Sequence, residues 1–242
     1  MMGKSSVLLR YSVFLAALFL FVQLWAKDFW LEKPFTKWNK KETEKVLNNS
    51  PWADSMTFSE PAPVISSTTP RSATMGDTGE RMDVYRIFRV RFLSARPVRM
   101  ALSRWNWIAK EGDKADGADE GNRKFVDTSF PNEIVLSLEA ETNARRSAAE
   151  VAKLLSSLTL ARLKPGTYLQ SPGGKKNYIM DYVPPSPDGL GAKLVFARTM
   201  DGAPFITEES GTLRFVSEIS DRYKLNLQFK LEKMSFDGKL EY

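Results

Sequence analysis

Hydrolytic chemistry in this chain has to come from carboxylates or from a serine, because its 242 residues include neither histidine nor cysteine. That absence removes disulfides, thiol nucleophiles, histidine-based triads, and zinc or copper sites built on sulfur or imidazole. Neither Ser-x-x-Lys nor Gly-x-Ser-x-Gly occurs, so the lysine-activated serine and the nucleophile elbow are absent too. A pair of carboxylates acting as acid and base on a glycosidic bond remains. Glu139 and Glu141 share a face if the strand that begins at Glu133 runs that far, and Asp181, Glu208, Glu209 and Glu218 are further acids. Carboxylates at strand ends are ordinary surface residues, so the sequence assigns no catalytic residue and implies no cofactor.

Two loops resemble ligand sites and fail on spacing. Glu111 to Gly121 is rich in oxygen donors, but Asp113, Asp116 and Asp119 are spaced by three where a calcium loop needs two, and no glutamate stands at the twelfth position. It reads as a solvated turn, and no metal site is expected. Ser171-Pro172-Gly173-Gly174-Lys175-Lys176 has Leu169 where a phosphate loop has its first glycine and no helix after it, so it reads as a hairpin turn.

The aromatic residues carry more information. Trp105 and Trp107 are two helical steps apart, about 200° around the axis, so one buried face cannot hold both. Trp105 joins Ala101 and Ile108 on the core stripe. Trp107 shares its side with Met100, Ser103 and Arg104 and stands near Arg96 and Arg99, the makings of an exposed or interfacial patch. Trp38 and Trp52 pose the same question near the N-terminus. Trp107, Arg104, Arg99, Trp38 and Trp52 are therefore the candidate binding residues. The alternative is that the acidic loop or the N-terminal segment covers Trp107, and that Trp38 and Trp52 dock onto the main domain.

These residues must be positioned by a small set of elements. Thr36 or Asn39 can cap a helix over residues 39–48, which Asn49-Ser50-Pro51 stops; Trp38, Val46 and Leu47 are its apolar positions. From Ser59 to Arg81, serine, threonine, proline and glycine predominate without hydrophobic periodicity, predicting a linker or long surface loop, with an edge strand at Phe58 or at Val64-Ile65 as the alternative. Val84 to Phe92 places Val84, Phe88, Val90 and Phe92 on one face and Arg89 and Arg91 on the other, a half-buried strand. Helical spacing follows over 97–110, a strand over 133–139, a second helix over 144–158, and strands over 177–183, 193–197, 212–219, 223–234 and 235–240, with no helical periodicity after Leu160. The order predicts an α+β fold, a mainly antiparallel sheet with two helices packed on one face and a short N-terminal helical segment. The expected divisions are a signal peptide at 1–26, the helical segment at 27–58, the linker at 59–81 and the α+β domain at 82–242.

The first of these divisions is read from charge and hydropathy. Lys4 and Arg10 precede an uncharged apolar run from Tyr11 to Ala26, the layout of a secretory leader, with Ala26 as the cleavage position. The run is shorter than the ~20 residues of a spanning helix. Retention as an anchor through residues 11–26 is the alternative, because Leu24 is bulky for the position it would hold, and a membrane is a partner only in that case. Cleavage leaves 33 basic and 29 acidic residues, a net charge of +4 against +6 for the whole chain. No block of five like charges appears, so a nucleic-acid partner is not expected.

The stretch Trp30 to Ala53, containing Ser50-Pro51-Trp52, the stretch Ser94 to Leu102, and the C-terminal block with Met234, Gly238 and Lys239 together resemble a group of exported, functionally uncharacterised acidobacterial proteins. The resemblance implies export and supplies no catalytic residue. The acidic loop and the Ser/Thr/Pro-rich stretch have no counterpart in it. The expectation is a non-catalytic module exported to the periplasm or beyond, acting in the cell envelope through protein or glycan contacts. The alternative is an extracytoplasmic hydrolase using a carboxylate pair.

Overall fold

A computed structural model describes residues 28–61, 83–118, 120–207 and 211–242. The expected signal peptide at 1–26, most of the Ser/Thr/Pro-rich stretch, Glu208 and Glu209 lie outside them. The chain divides into two units, Met1–Pro34 and Phe35–Tyr242. Of the first, the described part contains a single turn of helix, α1 (Phe29–Glu32), with the Phe29 and Trp30 rings edge to face.

The second unit is α+β. After a 3-10 turn at Phe35–Lys37 it runs through α2 (Lys40–Asn48), β1 (Ala53–Glu60), β2 (Val84–Phe92), α3 (Arg96–Glu111), α4 (Glu120–Val126), β3 (Glu133–Thr142), α5 (Arg145–Ser157) and α6 (Leu160–Leu163). Then come β4 (Tyr168–Gln170), β5 (Lys176–Tyr178), β6 (Asp181–Val183), β7 (Ala192–Ala197), β8 (Thr199–Met200), β9 (Ala203–Pro204), β10 (Thr212–Glu218), β11 (Lys224–Lys230), a 3-10 turn at Leu231–Lys233, β12 (Ser235–Phe236) and β13 (Lys239–Leu240). The larger sheet has the order β1-β2-β3-β7-β6 and the smaller one β11-β10-β4-β5; the paired strands in both are antiparallel.

Strand alternation decides which face of each sheet is dry. In β2, Phe88, Val90 and Phe92 are fully buried on one face, and the register brings Phe58, Leu136 and Leu138 to the same side. Leu213 and Phe215 of β10 and Leu225, Leu227 and Phe229 of β11 form the facing layer, while their neighbours are exposed. Edge-to-face contacts join the layers: Phe92 with Phe229 at 4.9 Å, Phe58 with Tyr223 at 5.2 Å, and Phe196 with Phe215 at 6.4 Å. Helix α5 borders this dry side, where Arg86 bonds Ser147 and the Tyr182 hydroxyl donates to the Leu155 carbonyl at 2.5 Å. The opposite face of the larger sheet, with Arg89 and Arg91, lies toward α2 and α3.

The helix ends follow local chemistry. Asn39 and Glu42 form a reciprocal capping box that starts α2. Pro97 sits in the first turn of α3, whose Arg96 N–H donates to the Glu241 carboxylate at 2.8 Å. From Pro97 to Arg104 every residue of α3 is buried.

Several expectations are corrected. The segment 27–58 is not a module set apart from a domain beginning at 82: β1 pairs with β2 along its whole length, and the compact unit starts at Phe35. An edge strand is found at Phe58, as part of β1, while Val64-Ile65 lies outside the described residues. The strand expected over 177–183 is two strands in different sheets, the one over 223–234 ends in a 3-10 turn, and α6 begins at Leu160 and continues to Leu163, where no helix was expected. Trp105 is half-buried and does not join the core stripe, because the wholly buried part of α3 ends one residue before it.

Candidate functional site

A cleft of about 510 Å³ opens on the charged face of the larger sheet. Its floor is a ladder of four charges from two adjacent strands. In the β2–β3 register Arg89 lies opposite Glu139 and Arg91 opposite Ser137, yet the ion pairs form on the diagonal. Arg89 Nη1 meets Glu141 Oε1 at 2.7 Å, and Arg91 Nη1 meets Glu139 Oε2 at 2.8 Å. Long side chains reach such diagonal neighbours, and each guanidinium thereby bonds the carboxylate one rung along. β3 runs on to Thr142, and that extension is what places Glu139 and Glu141 side by side on one face.

The wall comes from helices and a loop: Glu44, Leu47 and Asn48 of α2, Leu102, Trp105 and Asn106 of α3, and Asp188 to Leu190. Arg91 ties α2 to the floor, its Nε donating to the Leu47 carbonyl at 2.6 Å, a favourable place for a cation because unpaired carbonyls gather in a helix's last turn. Lys40 lies over the Trp105 ring, 5.7 Å from its centroid. Burial by itself would push the Asp188 carboxyl up, but hydrogen bonds from Lys193, the Leu190 N–H and Ser186 outweigh it and hold Asp188 below the usual range. Two buried polar atoms here have no partner among the described residues: Arg89 Nε on the floor, and Ser137 Oγ, whose residue is the cross-strand neighbour of Arg91. Buried donors left unsatisfied are uncommon, and ligand or solvent is their usual complement.

The five candidate residues do not form an exposed patch. Arg104 is 1% exposed; its guanidinium donates to the backbone carbonyls of Trp38 (2.5 Å), Ala115 (2.6 Å) and Asp113 (3.3 Å) and so staples the acidic loop to the start of α2. Burial lowers its pKa, against the pull of Asp116 and Asp113. Trp107 is half-buried with Gly117 of the acidic loop packed on its indole, so close that a Cβ there would come within 2.9 Å of the ring. Cover by the acidic loop is thus the placement found. That loop also caps α2, with Lys40 N–H donating to the Asp113 carboxylate. Trp38 and Trp52 are fully buried; Trp52 Nε1 donates to the Glu241 carbonyl at 2.8 Å. Arg99 is 4% exposed and lines a second cavity near the start of α3. Asp181 and Glu218 do not line the cleft, and Glu218 is ion-paired with Lys224 at the end of its strand.

The cleft residues that sequence reasoning missed as a group are Arg89, Arg91, Asn48, Asn106 and Asp188. The alternation of β2 put the two arginines on the polar face, but their diagonal partners depend on a strand register that sequence alone does not supply. Fold and site together define an α+β domain with an ion-paired, tryptophan-walled cleft. Comparison with known proteins found no match to the chain among protein-family models, curated proteins or solved structures.

Proposed function

We propose that this protein is an exported, non-catalytic module of the cell envelope that holds a glycan in the cleft. The observation that carries the reading is that the carboxylates on the cleft floor are already neutralised, Glu139 by Arg91 and Glu141 by Arg89, beside the indole of Trp105. A sugar presents hydroxyls that both donate and accept, along with an apolar C–H face. Paired charges and the amides of Asn48 and Asn106 suit the first, and an indole suits the second. Export is supported by the leader pattern at 1–26 and by the resemblance to exported acidobacterial proteins. Among the described residues no helix is long and apolar enough to cross a membrane.

The hydrolase reading keeps one observation in its favour. Glu139 and Glu141 are two residues apart on one strand face, about 7 Å along the backbone, which puts two carboxylates on the same floor of the cleft. Against it, both carboxylates are already engaged, Glu141 by Arg89 at 2.7 Å and Glu139 by Arg91 at 2.8 Å.

One titration separates the readings. Soluble envelope oligosaccharides are added to the purified protein while binding and release of reducing ends are followed together. Saturable binding without new reducing ends, weakened about ten-fold by Trp105→Ala and unaffected by Trp107→Phe, is the expected result. Reducing ends that disappear with Glu141→Gln would establish the hydrolase, and the absence of any saccharide binding would refute the glycan reading.

A further inference from the structure

The second cavity, about 460 Å³, lies at the N-terminal end of α3 and is a different site from the cleft. Three arginines line it, Arg96, Arg99 and Arg198, against two carboxylates, Asp127 and Glu241. Both carboxylates are already engaged by Arg96: its backbone N–H is bonded by Glu241 at 2.8 Å, and its guanidinium by Asp127 at 3.1 Å. Arg99 is held only by backbone carbonyls, and Arg198 meets the backbone oxygen of Tyr242, with no side-chain carboxylate on either among the described residues.

Arg99 is the unusual one. Its Nε donates to the Val126 carbonyl at 3.2 Å and its Nη1 to the carbonyls of Leu93 and Ser94, so three backbone oxygens hold the group rigidly. The Phe130 ring lies 5.2 Å beneath it. These contacts engage Nε and Nη1 and leave Nη2 without a hydrogen bond to the described residues. Burial pushes the Arg99 pKa down to about 10; repulsion from Arg96 and Arg198 adds to this and attraction to Glu241 and Asp127 opposes it, and the group stays cationic at neutral pH. Arg198 is fixed in the same way, by the Tyr242 carbonyl at 2.8 Å and by the Tyr242 ring 4.0 Å from its Cζ. Leaving a buried cation without a counter-ion is costly unless an anion completes the site.

We propose that this cavity binds the carboxylate or phosphate group of a small anionic molecule, with Arg99 and Arg198 as the cationic contacts and Ser94, Thr128 and Ser129 as the hydroxyls around it. A guanidinium N–H makes charge-assisted hydrogen bonds that both oxyanions accept. The volume exceeds that of a bare ion, and Val126, Phe130, Pro131 and Tyr242 offer apolar surface to the remainder of the ligand.

The test is calorimetric titration of the full chain with inorganic phosphate and, separately, with succinate, at constant ionic strength. Saturable binding of at least one probe is expected, weakened about ten-fold or more by Arg198→Gln and by Arg99→Lys and unchanged by Trp105→Ala. Which probe binds identifies the oxyanion. Arg99 also holds three carbonyls, so circular dichroism is recorded for each variant; if Arg99→Lys does not fold, Arg198→Gln and the more exposed Arg96→Gln carry the test. No saturable binding of either probe, or binding that Arg198→Gln leaves intact, overturns the proposal. Because Trp105 belongs only to the cleft, failure here leaves the glycan reading standing, and the reverse also holds.

Discussion

Replacing Trp52 by alanine should destabilise the second unit as a whole and not merely release its N-terminal helix. The indole is fully buried just before β1, its carbonyl extends the β1–β2 ladder by accepting from Phe92 N–H at 3.0 Å, and its ring meets Phe236 edge to face at 6.5 Å. Truncating a buried tryptophan to alanine costs about 3–5 kcal/mol through lost transfer energy and the cavity left behind. Nε1 bonds the Glu241 carbonyl, so the C-terminal hairpin β12–β13 loses an anchor at the same time. At roughly 2–4 °C per kcal/mol for a domain of this size, the midpoint should fall by about 6–20 °C. Trp52→Phe keeps a ring against Phe236 and removes only the N–H, leaving a buried carbonyl short of a donor for about 1–3 kcal/mol. Thermal unfolding by circular dichroism, with hydrogen exchange over 40–48 and 235–240, reads both effects. If Trp52→Ala leaves the midpoint in place and speeds exchange only over 40–48, the helix is a separable module and the single-core argument fails.

Two further expectations concern backbone and pH. Gly191 has φ +73°, and a Cβ there would stand 2.6 Å from the Leu138 carbonyl oxygen and 2.7 Å from Glu139 Cγ, so Gly191→Ala should cost at least about 1–3 kcal/mol and shift the cleft floor. Gly189→Ala, with similar φ and no atom within 4 Å, serves as the control and should cost about 1 kcal/mol, both read by urea denaturation. Burial pushes the Tyr182 hydroxyl up to about 12. The folded state therefore favours the protonated phenol, and the stability this contributes is complete below pH 10 and lost as pH rises from 10 to 12. The difference in stability between wild type and Tyr182→Phe should shrink over that interval; a difference that stays constant with pH would contradict the assignment.

The α+β class, the capping of α2 and the alternation of β2 were legible because each rests on local periodicity or on one cap residue, such as Asn39. The placement of Arg99 and Arg104 was not. A helix buried on every side from Pro97 to Arg104 cannot be read by sorting polar from apolar positions, since its arginines are satisfied by backbone carbonyls from distant loops. β1 was legible only as an alternative, an edge strand at Phe58, because the strand that receives it lies beyond the Ser/Thr/Pro-rich stretch, and cross-strand pairing over that distance leaves no local mark. Glu139 and Glu141 were identified as sharing a face, but their arginine partners depend on register.

The bonds from Trp52 and Arg96 to Glu241, with that from Gln228 N–H to the Asp54 carboxylate, bear on when the protein can fold during synthesis. Asp54 and Gln228 are 174 residues apart in sequence, Trp52 and Glu241 are 189 apart, and Phe229 must arrive before Phe92 is covered. Contacts of such separation close late and slowly. The emerging polypeptide consequently stays open until its final strands have left the ribosome. A chain held unfolded until then keeps Phe92 and its neighbours exposed for the whole of its synthesis.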